Sequence, residues 1–236
     1  MNLNGAVTAA WFGRVDYSDA WEWQRELFMA RLDGIRGDAL MLLEHPPTYT
    51  LGRRALADDL VYGEAERRAR GIALYEVDRG GRATYHGPGQ LVGYPILGLG
   101  DRYDVVTYLR KLEDVLIETA ADLGVDAARD PGHTGVWVGT NKIGAIGVKI
   151  TRGITMHGFA FNVTTDLRMF EGIVPCGLQD RWVTSVEALT GVKHSVKEVA
   201  TLAARHLATA FGRDLVWAHP RKLLSLEAEE GERVLR

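Results

Sequence analysis

Three segments of the sequence carry residue types that can do chemistry. The chain's single cysteine, Cys176, stands between Pro175 and Gly177 in the run Ile173-Val174-Pro175-Cys176-Gly177-Leu178. Proline fixes one side of such a turn and glycine leaves the other permissive, which is a way to present a thiol as a nucleophile. On composition alone a lone cysteine is more often an inert buried hydrophobe, so that reading stays open. Lys142 opens an apolar, strand-like run, Lys142-Ile143-Gly144-Ala145-Ile146-Gly147-Val148, in which Gly144 and Gly147 remove side-chain bulk. An amine in that place borders a partly desolvated site, and desolvation or a neighbouring cation would lower its pKa and make it a usable proton acceptor. The bland alternative is a strand-end lysine that lays its stem on apolar surface and keeps its amine in water.

The remaining segment is Arg79-Gly80-Gly81-Arg82-Ala83-Thr84-Tyr85-His86-Gly87-Pro88-Gly89-Gln90, followed by Tyr94-Pro95. Its glycines would let backbone N–H groups approach a ligand closely, while Arg79, Tyr85 and His86 can aim polar groups at it. A tight hairpin whose glycines only satisfy turn geometry is the competing reading. Neither G-x-x-x-x-G-K-[ST] nor G-x-G-x-x-G occurs here, so this is no phosphate loop. A further run, Thr155-Met156-His157-Gly158-Phe159-Ala160-Phe161-Asn162, adds one more glycine amid apolar residues, with His157 expected as a hydrogen-bonded core histidine and the phenylalanines as core.

Other chemistries fit poorly. No two of the histidines, at positions 45, 86, 133, 157, 194, 206 and 219, fall at the spacing of a helical metal pair, and one cysteine cannot supply a Cys-rich zinc site or an internal disulfide. No metal site is expected. A G-x-S-x-G elbow is missing, which lowers the case for a serine hydrolase. The formal net charge of -3 provides no broad positive field, so nucleic acid is not expected as a partner. The longest stretch free of Asp, Glu, Lys and Arg, Ala83 to Gly100, is broken by His86, prolines and glycines, which suit turns and not a membrane span. With no basic-then-apolar leader at the start, a cytoplasmic protein without a membrane segment is expected.

The elements that must position these residues are partly visible. Ala20, Trp23, Leu27 and Ala30 follow helical spacing after Ser18 or Asp19 as candidate cap, with Gly34 as terminator. Ala39 to Leu43 is a short apolar run stopped by Pro46 and Pro47, as expected of a buried strand. Val105, Leu109, Leu112, Leu116, Ala120 and Leu123 form the clearest helical stripe, capped by Asp104 and ended by Gly124. Ser195 to Glu198 reads as a capping box opening a helix that ends near Gly212. Between these helices lie strands expected at Val136 to Val138, Lys142 to Ile150 and Thr155 to Val163. Strands outnumber helices without strict alternation, so the fold class is α/β (α+β), a mixed sheet packed by helices. With no repeat or linker in sight, one domain over residues 1–220 is expected, followed by a charge-rich extension over 221–236 that can form a surface helix.

Taken together and in order, the segments resemble those of the lipoyl(octanoyl) transferases, within the biotin/lipoate protein ligase catalytic-domain superfamily. The matching motifs are Arg79-Gly80-Gly81 to Gln90 with Tyr94-Pro95, Lys142 before Ala145-Ile146-Gly147, His157 to Asn162, and Pro175-Cys176-Gly177. The resemblance implies a mixed-sheet α/β domain and an acyltransferase that moves an octanoyl group from octanoyl-acyl carrier protein to a lysine of lipoyl domains, those of 2-oxo acid dehydrogenase E2 subunits and of the glycine cleavage H protein. It implies Cys176 as the acyl-thioester nucleophile and Lys142 as the residue that lowers its pKa. It further implies an acyl pocket built from Arg79, Gly80, Gly81, Arg82, Ala83, Thr84, Tyr85 and His86, from Ala145, Ile146 and Gly147, and from Gly158, Phe159 and Ala160. Thioester to amide runs downhill, so no cofactor is expected. The alternative within the same fold is an ATP-dependent lipoate or biotin ligase, which would not require a thiol nucleophile. A catalytically silent protein that only binds a lipoyl domain is a third reading. Seven arginines and six acids between Arg53 and Arg82 leave a basic patch for an acidic carrier in balance with a merely solvated helix face around Glu64 to Arg70.

Overall fold

The apolar run at Ala39 becomes strand β2 (Asp38–Glu44), buried at nearly every position because it lies in the middle of a sheet covered on both faces. The structure is a computed structural model and describes residues 5–100, 103–174 and 182–225. Eight strands form the main sheet: β1 (Ala6–Arg14), β2, β6 (Gln90–Ile96), β7 (Ala128–Asp130), β8 (His133–Val138), β9 (Asn141–Thr151), β10 (Ile154–Asn162) and β11 (Asp214–Trp217). Their order is β11-β1-β2-β6-β10-β9-β8-β7, with β1 parallel to β11 and β2 and every other pairing antiparallel. A smaller sheet holds β3 (Thr48–Leu51) between β4 (Ala73–Glu76) and β5 (Ala83–His86). The mixed-sheet expectation therefore holds.

Helices cover both faces of the large sheet. One face carries α3 (Val105–Asp122) and α5 (Val196–Phe211), whose Leu112, Leu116, Val199 and Ala203 meet Leu40, Leu42, Leu91 and Phe161 from the strands. Asp104 caps α3 as expected, accepting from the N–H groups of Val106 and Thr107. The other face is covered by α1 (Tyr17–Leu32) and α6 (Pro220–Leu224), which pack Ala20, Leu27 and Leu223 on Met41, Tyr94 and Met156. Two short helices, α2 (Glu64–Ala69) and α4 (Val186–Thr190), complete the set.

Some boundaries differ from the sequence reading. Helix α1 starts from Asp16, ahead of Ser18 and Asp19, because Tyr17 is drawn into the buried face and takes the first turn with it. Ser195 precedes α5 without a side-chain cap bond, so the expected capping box is not closed. Leu223 is 1 % exposed, so the packed body runs beyond residue 220 into α6. The glycine-rich segment is not a hairpin. Strand β5 pairs with β3 in the small sheet, whereas β6 pairs with β2 and β10 in the large one, so the Gly87 to Gly89 turn passes the chain from one sheet to the other. That crossing makes the corner in which a cavity forms.

Candidate active site

A cavity of about 400 Å³ opens where the two sheets meet. Its walls come from the turn between β4 and β5, from the start and middle of β9, and from the adjoining part of β10. Register explains the last two: Ala160 faces Ala145, Phe159 faces Ile146 and Gly158 faces Gly147 across the β9–β10 ladder, so two distant segments form one surface. Of the sequence-named residues, Arg79, Gly81, Arg82, Ala83, Thr84, His86, Lys142, Ala145, Ile146, Gly147, Gly158, Phe159 and Ala160 line this space. Gly80 and Tyr85 do not. The N–H of Gly80 donates to the Val148 carbonyl at 2.9 Å, tying the turn to β9. The Tyr85 ring turns away into the small sheet's own core, edge-on to Tyr49 and Phe170, because alternate residues of a strand point to opposite faces. Cys176 lies outside the described residues.

Lys142 is 7 % exposed, so its amine does not reach out into water. Nζ donates to the Thr134 carbonyl at 3.2 Å and lies 4.6 Å from the centre of the Trp137 ring. Gly135 makes room for it: a Cβ there would come 3.3 Å from Lys142 Cε, and the φ of +122° is one that side chains rarely adopt. The turn is held from outside by Glu113 of α3, a 1 % exposed carboxylate that accepts the Gly135 N–H at 3.0 Å and pairs with Arg110 and Arg129. The Lys142 backbone is gripped as well, since its N–H donates to the Trp182 carbonyl and its carbonyl accepts from Thr184, both at 2.9 Å. Residues 182–184 thus run beside Lys142, and on the other side of 175–181 the Val174 N–H donates to the Asp59 carbonyl at 2.9 Å. A second, smaller recess of about 20 Å³ lies between Lys142, Ala83, Thr84, Gln90, Asn162 and Val183.

Arg79 is buried and rigidly held: Nη2 donates to both the carbonyl and the hydroxyl of Thr50 at 2.8 Å, and Nη1 donates to the Gly80 carbonyl at 3.0 Å. His86 is oriented by Gln90. The Gln90 amide nitrogen donates to the Tyr85 carbonyl and to Asn162 Oδ1, so its oxygen accepts, and His86 Nδ1 at 2.9 Å must carry the proton. His86 Nε2 is left as the acceptor, 3.5 Å from the Thr50 hydroxyl. Burial, then the neighbouring His45 and Arg79, push the His86 pKa well below the ordinary imidazole value. It is a neutral hydrogen-bonding group.

Behind it sits an aromatic set that composition did not mark: Tyr17 stacks on His86 with centroids 5.9 Å apart, and His45 bridges the Val15 carbonyl and the Tyr94 hydroxyl at 2.7 Å each. A carbonyl only accepts, so His45 carries its proton on Nδ1, and burial lowers its pKa to about 4. His157, expected as a core histidine, is 1 % exposed and also lines the cavity. It sits at φ +56°, bonding through Nε2 to Asp78 Oδ1 at 2.7 Å, and Asp78 in turn meets Lys149 at 2.6 Å. Burial lowers the His157 pKa, and the bond from His157, followed by that from Lys149, holds Asp78 well below the usual carboxylate range. The stable arrangement is a neutral imidazole donating to an ionised carboxylate. Among the described residues no cluster of His, Cys, Asp and Glu could hold a metal ion, and no helix is long and apolar enough to cross a membrane.

Tyr17, Arg54 and His133 line the cavity without having been expected there from the sequence, and Tyr94, quoted only within the Tyr94-Pro95 motif, lines it as well. Glu113 carried the one available signal, a carboxylate one position beyond Leu112 in an otherwise apolar helical stripe.

Comparison with known proteins places this geometry in context. Residues 16–208 match the lipoyl protein ligase A/B catalytic domain. A protein of Solibacter usitatus called octanoyltransferase is 50% identical over 205 residues, covering 86% of this chain and 92% of that one. The octanoyltransferase of Gloeobacter violaceus is 52% identical over 202 residues, with 85% and 88% of the two chains covered. The octanoyltransferase of Mycobacterium tuberculosis is 49% identical over 203 residues, with 84% and 85% covered. Among solved structures, a lipoate-protein ligase A bound with ATP superposes with a TM-score of 0.73 at 19% identity, over 94% of this chain and 91% of that one. A bipartite lipoate protein ligase of Thermoplasma acidophilum gives a TM-score of 0.75 at 19% identity, over 93% and 89%. At such identities the structural likeness speaks for the fold.

Proposed function

The chain belongs to the lipoyl protein ligase A/B catalytic-domain family, and from that premise we propose that it transfers octanoyl groups through a thioester on Cys176, with Lys142 as the proton partner. Octanoyl transfer in protein lipoylation is its activity, and it is an acyltransferase. The donor in this reading is octanoyl-acyl carrier protein. The acceptors are lipoyl domains, those of 2-oxo acid dehydrogenase E2 subunits and of the glycine cleavage H protein.

The observation that carries the reading is the placement of Lys142: a buried amine at the wall of a cavity partly lined by apolar residues, with residues 182–184 bonded along its backbone. Cys176 is two residues past Val174, which is bonded to Asp59, and Asp59 pairs with the cavity-lining Arg82. Both flanks of the cysteine segment are therefore anchored at the cavity. A protonated Lys142 favours the Cys176 thiolate and a neutral one accepts its proton, two microstates of one coupled pair. The thiolate attacks the donor's thioester carbonyl, backbone N–H groups stabilise the developing oxyanion, and the carrier sulfur takes the proton held by Lys142 and leaves as its thiol, which leaves Lys142 neutral. The acceptor lysine amine then attacks the Cys176 acyl-thioester, its proton passes to Lys142, and the amide forms as the Cys176 thiolate departs. His86 stays neutral and serves as a hydrogen-bond acceptor, since its depressed pKa makes it a weak base. Apolar Ala145, Ile146, Phe159 and Ala160 supply the wall for the acyl chain.

The ATP-dependent ligase reading would leave Cys176 without a task. Mixing the protein with octanoyl-carrier protein in the absence of ATP and measuring its intact mass tests the choice: a gain of one octanoyl group on Cys176, discharged on adding a lipoyl domain, is the expected result. Acceptor octanoylation only with ATP and free octanoate would overturn it.

A further inference from the structure

The arginines between Arg53 and Arg82 look interchangeable in the sequence, and the structure sorts them. Arg68 pairs with Glu64, and Arg70 pairs with Glu66 at 3.0 Å while lying over the Tyr62 ring. Arg67 donates to the Tyr62 carbonyl at 2.7 Å, Arg82 donates through Nε to Asp59 Oδ2 at 2.9 Å, and Arg79 is buried against Thr50. Arg53 and Arg54 remain. Both are exposed, and neither makes an ion pair or side-chain hydrogen bond among the described residues, although Asp58 stands only a few positions away.

Their backbones are nevertheless fixed at the cavity. The Arg53 N–H donates to the Arg79 carbonyl at 3.0 Å and the Arg54 N–H to the Gly81 carbonyl at 3.1 Å, so this turn is bonded to the very segment that forms the cavity wall. Arg54 itself lines the cavity. Among the described lining residues it shares exposure with Gly132 and Thr134, so these three stand where the cavity meets solvent. Next to Gly132, the Asp130 carboxylate is already engaged, accepting from the Gly132 N–H and from His133, both at 2.8 Å. One guanidinium with an open fork, that of Arg54, thus lines the cavity, with exposed Arg53 next to it in the chain, and a planar fork matches the oxygens of a phosphate.

We propose that Arg53 and Arg54 form an anion subsite at the cavity mouth that takes the phosphodiester of the donor's thioester-bearing pantetheine arm. This rests on the reading of the protein as a carrier-dependent octanoyltransferase. An acyl carrier presents its thioester at the end of a pantetheine arm whose other end is joined to the carrier by that phosphodiester. With the acyl chain in the cavity and the sulfur at its reacting end, the arm must pass outward through the mouth. A cation pair there holds the arm and selects phosphorylated donors, and it leaves acyl-chain recognition to the apolar wall.

The test uses the full chain with octanoyl-carrier protein, octanoyl-4′-phosphopantetheine and octanoyl-pantetheine as donors, and the double variant Arg53→Gln, Arg54→Gln. The wild-type KM should be about tenfold lower for the phosphorylated small donor than for the unphosphorylated one, a preference that weakens with salt. In the double variant the KM ratio should fall toward one, and Arg53→Lys, Arg54→Lys should recover part of it. A wild type with no preference, or a variant that keeps it, would overturn the subsite. So would a variant impaired only on the carrier-borne donor, since the arginines would then be reading the carrier's protein surface. If wild type accepts octanoyl from none of the three donors, the transferase reading itself fails and takes the subsite with it; transfer without phosphate preference removes the subsite alone.

Discussion

Replacing Lys142 with methionine separates its chemical role from its structural one. Methionine keeps an unbranched stem of similar length in a site that is 7 % exposed, so little packing is lost. Among the described residues, what goes is the hydrogen bond from Nζ to the Thr134 carbonyl at 3.2 Å and the contact of Nζ with the Trp137 ring at 4.6 Å. Each amounts to about 1 kcal/mol. Thr134 is exposed, so its carbonyl regains a partner in water. The net destabilisation should stay below about 2 kcal/mol, and the Tm of a chain this size should drop by no more than about 8 °C. Catalysis should suffer much more. Loss of a positioned proton acceptor costs roughly 10²- to 10⁴-fold, or about 3–5 kcal/mol of barrier. Two assays check this: single-turnover octanoylation of Cys176 followed by mass, and the pH dependence of iodoacetamide alkylation, which reports one thiol because the chain has one cysteine. Lys142→Met should slow the first and move the second toward higher pH. Octanoylation within about threefold of wild type, together with a superimposable alkylation profile, would refute the pairing of Lys142 with Cys176.

Three further outcomes are expected. Cys176→Ala should form no acyl-enzyme and turn over no donor, and combining it with Lys142→Met should cost no more than the worse single change, since groups acting as a unit are not additive; multiplied losses would count against a shared step. Gly158→Ala should destabilise the protein by about 3 kcal/mol or more, because its Cβ would come 2.1 Å from the Gly93 carbonyl and 2.6 Å from Pro95 Cδ, neither a flexible neighbour; urea unfolding that matches wild type would show that the strands can part freely. Stability should fall with acid. The folded-state pKa values of His45, at about 4, and of His86 lie below the unfolded value, so the unfolded chain takes up protons first. The stability is complete above about pH 6.5 and declines as pH falls toward 4, by on the order of 3 kcal/mol for His45 alone. Unfolding curves that do not change between pH 7 and pH 5 would contradict the buried neutral histidines.

Much of the site was legible because its residues come in short local runs. The Arg79 to His86 segment, Lys142 with Ala145 to Gly147, and Gly158 to Ala160 are each recognisable from neighbouring letters, and each lines the cavity apart from Gly80 and Tyr85. Tyr85 was misplaced by a strand's alternation, since β5 pairs with β3 and turns that ring into the small sheet's own core, and Gly80 by its tie to the Val148 carbonyl of β9. Helix α3 was equally readable, since its stripe and its Asp104 cap are local.

Sequence alone determined the chemistry on offer: one thiol, one lysine at the head of an apolar strand, and glycines where backbone must come close. Tertiary structure decided which charges are spent and which are open. Glu113 is spent on Gly135 and two arginines, Arg82 on Asp59, and among the described residues exposed Arg53 and the cavity-lining Arg54 have no side-chain partner. It also decided that β5 and β6 part into different sheets, which makes the cavity at all. Such pairings join residues tens of positions apart, and nothing in the local pattern of either partner specifies which distant group it will meet, because that follows only from how the strands are ordered.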